Sequence, residues 1–275
     1  MKKEILRALD ALSHERRLDV FRLLMRRYPD AVPAGEIATA LDLPPSTLSA
    51  ALAQLRRARL ITQTRAGTSL LYAADMNGAG RLLSYLAADC CRGRPEVCLT
   101  PFLQDPAMTQ GKYTALFVCT GNSARSIFAE TLLRTIAGDR FEVYSAGTQP
   151  QSALNPLALK VLRDKGHDVS GLRAKHISEF QSPGAPRMDF VFTVCDAAAN
   201  EECPPWPGQP ITGHWGQPDP VKATGTEAER MLAFQQVYGA LRNRIQTFAA
   251  LPLSSLDRAR LQSDIDDIAR TKDTA

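Results

Sequence analysis

Cys119 and Arg125 suggest a chemistry by their types and spacing, because a thiol and a guanidinium separated by five residues can act on one tetrahedral oxyanion. Arginine presents a planar fork of N–H donors to two anion oxygens, and a thiolate is a nucleophile. The sequence from Ser126 onward predicts a helix, whose N-terminus would add positive potential at the same point. We therefore expect Cys119 to be a nucleophile of low pKa. The predicted oxyanion-binding loop consists of Thr120, Gly121, Asn122, Ser123 and Ala124.

The loop lies between two elements that would hold it in place. Residues 114–118 are an apolar run typical of a buried strand, and apolar residues recur at helical spacing after Ser126. Strand and helix patterns then alternate, with strands predicted at 141–146, 189–194 and 211–215 and helices from Asn155 and over 226–249. This alternation predicts an α/β domain with a four-stranded parallel, doubly wound sheet, whose site lies at the carboxyl ends of the strands.

Two further candidates for chemistry follow later in the chain. Cys195 comes directly after a predicted strand, and Cys203 lies in the same polar loop, so both thiols could exchange with Cys119. The alternative is that they are inert buried cysteines. Asp219 lies between two prolines and could donate a proton to a leaving oxygen, although such a segment is also typical of a simple turn.

Together these residues resemble the thioredoxin-coupled arsenate reductases, which share the low-molecular-weight tyrosine phosphatase fold. The resemblance covers about residues 113–253. Its specific pieces are Val-Cys-Thr-Gly-Asn-Ser-Ala-Arg-Ser at 118–126, Tyr-Ser-Ala-Gly at 144–147, Val-Cys-Asp at 194–196, Glu-Cys-Pro at 202–204 and Pro-Asp-Pro at 218–220.

The resemblance implies a role for each of these residues. Cys119 attacks arsenate in the loop and Arg125 holds the anion, while Ser126 stabilises the thiolate and Asp219 assists departure of an oxygen. Cys195 then attacks Cys119 and arsenite leaves. Cys203 resolves that bond, which leaves a Cys195–Cys203 disulfide for thioredoxin or a similar external thiol donor. No tightly bound cofactor is implied for catalysis.

The first hundred residues carry a different pattern. Helices are predicted from near Ser13, over 33–42, from about Ser46 and over 76–89, and residues 60–65 and 68–72 predict a β-hairpin. Two short helices with a tight break, followed by a hairpin, predict a mainly α-helical winged helix-turn-helix domain. Residues 1–104 hold 15 Lys and Arg against 10 Asp and Glu, which hints at an anionic partner.

Residues 36–61 resemble the ArsR family of metalloregulatory repressors, which implies a homodimer that binds a two-fold operator in double-stranded DNA and releases it when an inducer binds. Small polar side chains on the second helix could approach base edges, and arginines could hold phosphates. The alternative is a polar face that is merely hydrated. The candidate DNA-contacting residues are Ser46, Thr47, Ser49, Ala50, Gln54 and Arg65.

Cys90, Cys91 and Cys98 suggest the inducer. Three soft thiolates within nine residues suit a thiophilic ion that takes three ligands, so we predict arsenite, with antimonite as the second candidate. Zinc would need a fourth ligand. Many ArsR-type repressors carry their arsenic cysteines in the helix before the recognition helix, which has no cysteine here, so this would be the variant with its site on the C-terminal helix. The three cysteines could also be incidental.

The length of 275 residues is more than one modest domain needs, which favours two domains. We expect a DNA-binding regulator at 1–98, a linker at 99–112, a reductase domain at 113–253 and a tail with a helix at 254–275. The sequence has no membrane-spanning run and no signal-peptide core, and we expect a cytoplasmic protein with reduced thiols and no membrane partner.

The six cysteines thus divide into a sensing trio and a redox trio, and the product of the second would be the inducer of the first. We hypothesise an arsenite-responsive repressor fused to an arsenate reductase. Two alternatives stay open. One is a phosphatase of the same fold fused to a regulator, which would not need Cys195 and Cys203. The other is a DNA-binding regulator whose second domain only binds an oxyanion.

Overall fold

The structure, a computed structural model, describes residues 2–92, 111–182, 184–201, 206 and 208–271. The chain divides into two compact units, Met1–Asp105 and Pro106–Ala275. Most of the predicted linker lies outside the described residues. Among the helices described, none is both long and apolar enough to cross a membrane.

The N-terminal unit is a winged helix-turn-helix, as predicted. Its core side chains come from the amphipathic faces of the helices and include Leu24, Ile37 and Leu55, none of which is exposed. A strand before α3 joins the hairpin to give an antiparallel sheet of order β1-β3-β2. The elements are α1 (Lys2–Leu12), α2 (Glu15–Arg26), β1 (Val32–Pro33), α3 (Ala34–Ala40), α4 (Pro45–Arg57), β2 (Ile61–Ala66), β3 (Ser69–Ala74) and α5 (Met76–Tyr85).

Helix α5 ends earlier than the sequence predicts. It gives way to a π-helical turn at Leu86–Cys90, so the cysteine pair lies at the end of that turn. The break between α3 and α4 is made by Asp42, which adopts a left-handed φ of 48°. Pro45 then begins α4, because a helix can start at a residue without a free N–H.

The C-terminal unit contains the predicted four-stranded parallel sheet, in the order β5-β4-β6-β7. Its strands are β4 (Tyr113–Cys119), β5 (Phe141–Gly147), β6 (Phe190–Thr193) and β7 (Ile211–His214). Its helices are α6 (Arg125–Ala137), α7 (Pro156–Asp164), α8 (Asp196–Asn200), α9 (Glu227–Ala249) and α10 (Arg258–Arg270).

Aromatic side chains join the sheet to its helices. Phe192 of β6 stacks on Trp215 with ring centroids 4.1 Å apart, and Phe248 of α9 meets Phe192 edge-on at 5.1 Å. Helix α10 belongs to this core, because Ile265 is fully buried and its carbonyl accepts a hydrogen bond from the Trp215 indole. The C-terminal segment that we expected to be a tail with a helix therefore packs on the sheet.

Candidate active site

The loop after β4 is held by the segment after β5. Because β4 and β5 are parallel and Cys119 pairs with Gly147, both segments leave the sheet at the same edge. Backbone N–H groups of residues 148–155 bind the loop carbonyls, which are therefore turned toward that segment. These bonds run from Thr148 to Cys119 (3.1 Å), Gln149 to Thr120 (2.9 Å), Gln151 to Gly121 (2.9 Å) and Asn155 to Ser123 (3.0 Å).

Gly147 and Asn122 allow this close approach. A β-carbon on Gly147 would lie 2.5 Å from the Thr120 carbonyl oxygen, so a larger residue would push the loop away. Asn122 adopts a left-handed φ of 42°, a conformation that asparagine tolerates better than most residues. Its backbone N–H donates to the Cys119 sulfur at 3.1 Å. The loop therefore points at least one amide at the Cys119 thiol.

Cys119 lies almost completely buried at the start of this loop, with its sulfur 3.0 Å from the Ser126 hydroxyl. Burial raises the pKa of the Cys119 thiol above its ordinary 9.0, and the nearby Cys195 thiol adds to that rise. Hydrogen bonds from Ser126 and the charge of Arg125 lower the pKa. The low pKa expected from the sequence is wrong here, because the cost of burying the thiolate exceeds these favourable contacts.

We expect a Ser126→Ala variant to raise the pKa of Cys119 further, because the side-chain hydrogen bond that lowers it is lost. Only the thiolate is alkylated, so the pH profile for iodoacetamide labelling should move to higher pH. Mass spectrometry of the Cys119 peptide would follow the rate. The control is Ser182→Ala, an exposed serine of the same unit. A profile unchanged from that of the control would contradict the assignment.

Arg125 is the first residue of α6 and is oriented by two acceptors. One guanidinium nitrogen donates to the Gln217 carbonyl at 3.0 Å, and another lies 3.2 Å from the Asp219 carboxylate. Asp219 also caps the following 3-10 turn by accepting from the Val221 N–H at 3.2 Å. The structure thus brings Asp219 beside Arg125, at the loop where the anion is expected.

Cys195 follows β6, the strand next to β4, so its thiol approaches the same loop. It is buried, and its sulfur lies 3.5 Å from the Thr120 hydroxyl. It also caps α8, accepting from the Ala198 N–H at 3.4 Å. Cys119 and Cys195 are therefore neighbours in the site. Cys203 lies outside the described residues.

A buried polar network supports the loop from below, and it was not found from the sequence. Asn122 donates to the hydroxyls of Ser126 (2.8 Å) and Ser145 (2.9 Å), and its amide oxygen accepts from the Lys175 N–H at 2.7 Å. Ser145 donates to Glu130, which pairs with the Lys175 ammonium at 3.2 Å. Since Ser126 accepts from Asn122, its own hydroxyl hydrogen remains available for the Cys119 sulfur.

The candidate DNA-contacting residues of the N-terminal unit are exposed or half-buried. Thr47 is half-buried, and the Arg65 guanidinium binds the Gly67 carbonyl at 3.0 Å within the hairpin. The remaining candidates of α4 are exposed; they are Ser46, Ser49, Ala50 and Gln54.

The thiol pair of the predicted inducer site is accessible as well. Cys90 is exposed and Cys91 is half-buried, both as free thiols. Cys98 lies outside the described residues.

Two family profiles match the chain. A sequence profile described as low molecular weight phosphotyrosine protein phosphatase matches residues 114–262. The chain belongs to this family. A second profile, described as a helix-turn-helix domain, matches residues 12–64.

Relatives within the family carry a more specific name. The chain is 41% identical to an arsenate reductase of Bacillus licheniformis over 139 residues, which are 50% of this chain and 96% of that protein. It is 40% identical to an arsenate reductase of Bacillus subtilis over 133 residues, 48% of this chain and 92% of that protein. A solved structure of an Archaeoglobus fulgidus arsenate reductase is 20% identical, with a TM-score of 0.40, and covers 50% of this chain and 99% of that one.

The match to the phosphotyrosine phosphatase family begins in β4 and ends in α10, so it covers the sheet and the candidate site. Sequence reasoning found the residues on the loop because they are close together in the chain. It missed Glu130 and Lys175. The signal available for Glu130 was a carboxylate among the apolar residues of α6, and Lys175 gave none.

Proposed function

We propose that the C-terminal unit reduces arsenate to arsenite, with Cys119, Cys195 and Cys203 as its thiols. The observation that carries this proposal is the second thiol beside the loop, since Cys195 lies 3.5 Å from Thr120. Hydrolysis of a phosphate ester needs one cysteine, an arginine and an acid, and leaves a second thiol without a role. The identity to proteins named arsenate reductases supports the same choice.

In the first step, the Cys119 thiolate attacks arsenic while Arg125 and the loop amides bind the other oxygens. A sulfur–arsenic bond forms, one arsenic–oxygen bond breaks, and the oxygen leaves as water. Asp219 lies 3.2 Å from Arg125, within reach of the same anion, and supplies a proton to that oxygen. Arsenic stays pentavalent in this step.

In the second step, the Cys195 thiolate attacks the Cys119 sulfur. A Cys119–Cys195 bond forms and the sulfur–arsenic bond breaks, with its electron pair going to arsenic. The two sulfurs are oxidised by two electrons and arsenic is reduced from the pentavalent to the trivalent state. Arsenite leaves.

In the third step, Cys203 attacks Cys195 and releases Cys119. The Cys195–Cys203 disulfide then accepts two electrons from an external dithiol of the thioredoxin type, which restores the enzyme. No cofactor enters the cycle.

We expect a Cys195→Ser variant to lose arsenate turnover completely, because the thiol that attacks Cys119 is lost. The measurement is arsenite released by the reduced full-length protein with a thioredoxin system. Hydrolysis of p-nitrophenyl phosphate is the internal control, since it does not need Cys195. Full arsenate turnover by Cys195→Ser would overturn the relay. Phosphate ester hydrolysis without arsenate turnover by the unmodified protein would favour a phosphatase.

We propose in addition that the N-terminal unit is a DNA-binding repressor that responds to arsenite. A recognition helix with exposed small polar residues, a hairpin with an exposed arginine and the match to a helix-turn-helix profile support it. Exposed leucines on α1 and α5 support a homodimer, because Leu6 and Leu83 are 55% and 61% exposed and would be buried by a second copy.

The inducer site of this repressor is Cys90, Cys91 and Cys98, which together offer three thiolates to arsenite. The test is the mobility of a promoter fragment with reduced protein. Arsenite should release the DNA at once. At the low protein concentrations of this assay arsenate should do so only with the thioredoxin system present, because the reduced protein alone forms no more than one arsenite per chain. A Cys90→Ser, Cys91→Ser double variant should stay bound. Release of DNA from this variant at the same arsenite concentration would dismiss these cysteines as ligands.

A further inference from the structure

The His214 imidazole contacts residues on both sides of Cys195 in the chain. His214 ends β7 and its side chain is completely buried. Its Nδ1 lies 2.8 Å from the Thr193 hydroxyl, and its Nε2 lies 3.2 Å from the Asp196 carboxylate. Thr193 ends β6 and Asp196 begins α8, so the two contacts bracket the cysteine.

The local sequence leaves room for this pair. A β-carbon on Gly216 would lie 2.5 Å from the Asp196 carboxylate and 2.8 Å from the His214 Nε2. Because a carboxylate can only accept, the Nε2 nitrogen is the donor in the contact with Asp196. Glycine at position 216 therefore leaves room for the carboxylate and the imidazole to meet in this arrangement.

Helix α8 needs such an anchor because it has five residues, too few to hold its own first turn. The position of that turn decides where Cys195 points. Its sulfur caps the turn at Ala198 and faces Thr120 on the oxyanion loop. The Gln217 N–H adds a backbone bond to the Val194 carbonyl at 3.2 Å.

We propose that His214 is a positioning residue for Cys195, which it aligns for attack on Cys119 by holding Asp196 at the start of α8. The inference rests on the proposed reductase activity and concerns its second step. His214 transfers no atom in that step: the bond between the two sulfurs forms, the sulfur–arsenic bond breaks and arsenic takes the electron pair. Its effect is on the geometry of the attacking sulfur.

The experiment is a single turnover in the full-length reduced protein carrying Cys203→Ser, so that the reaction stops at the Cys119–Cys195 bond. Arsenite is measured against time over a range of arsenate concentrations. We expect His214→Asn, which can reach Thr193 but not Asp196, to slow release about 10- to 100-fold. His214→Gln restores a donor toward Asp196 and should recover most of the rate. The arsenate concentration giving half the maximal rate should stay unchanged, since Cys119 and Arg125 are untouched.

Asp196→Ala provides the second variant, because its carboxylate is 52% exposed and its loss does not open the core. It should slow release as His214→Asn does. The matched control is Asp164→Ala, an exposed carboxylate paired with Lys160 on α7, which should react at the parent rate. A parent rate in Asp196→Ala, or a loss of arsenate affinity as large as the loss of rate, would overturn the positioning role. Absence of arsenite from the parent protein would overturn the reductase proposal and this inference with it.

Discussion

An Arg125→Lys variant is expected to lower kcat/KM for arsenate by about 10²- to 10³-fold, the loss typical of removing one donor from a preorganised oxyanion site. Lysine keeps the charge but loses the planar fork that binds two oxygens together. It also cannot satisfy both acceptors that now orient the guanidinium, the Gln217 carbonyl at 3.0 Å and the Asp219 carboxylate at 3.2 Å. The variant should therefore bind the anion more weakly and should also hold Asp219 less firmly in place.

Steady-state arsenite release with a thioredoxin system measures this effect. Arg163→Lys is the control, because Arg163 is an exposed arginine of the same unit at the end of α7. Phosphate, as a non-reacting analogue, should protect Cys119 from alkylation less well in Arg125→Lys than in the control. Equal kcat/KM values in the two variants would show that Arg125 does not bind the oxyanion.

A Lys175→Met variant is expected to destabilise the C-terminal unit by about 3 kcal/mol, because it leaves the buried Glu130 carboxylate without its ammonium partner. Glu130 and Lys175 are 3% and 7% exposed, so water cannot replace the lost contact. Arg134 also binds Glu130 and keeps the loss toward the lower end of the range for buried pairs. The Ser145 hydroxyl donates to the same carboxylate and accepts from Asn122, so the loop should loosen too.

Urea unfolding followed by tryptophan fluorescence isolates this unit, since Trp206 and Trp215 are the two tryptophans of the chain. The matched control is Lys160→Met, which removes an exposed ion pair with Asp164 at 3.1 Å and should cost about 0.5 kcal/mol or less. If both lysine variants unfold at the same urea concentration, the Glu130 network contributes nothing to stability.

The candidate oxyanion loop could be located from the sequence because the residues that suggest its chemistry are neighbours in the chain. Seven consecutive residues carry the thiol, the loop amides and the guanidinium, and an apolar strand before them and a helix after them are both evident as patterns. The parallel sheet follows from strand–helix alternation, which admits few topologies. Cys195 was also within reach, because it directly follows a predicted strand.

The pKa of Cys119 could not be predicted from the sequence. The groups that lower this pKa, Arg125 and Ser126, can be found in the sequence because they are close to Cys119 in the chain. The sequence does not display the burial that raises it, which depends on how tightly the segment 148–155 and the sheet enclose the thiol.

The sequence by itself indicated which residues could carry the proposed chemistry and that they follow the carboxyl ends of parallel strands, because strand–helix alternation and loop position are local patterns. Only the tertiary structure decided the partners: Cys195 against Thr120, 75 residues apart, and Glu130 against Lys175, 45 residues apart. The contact between His214 and Asp196 was likewise found only in the tertiary structure. These contacts depend on the register of parallel strands and on the packing of α6, quantities that no short stretch of sequence contains.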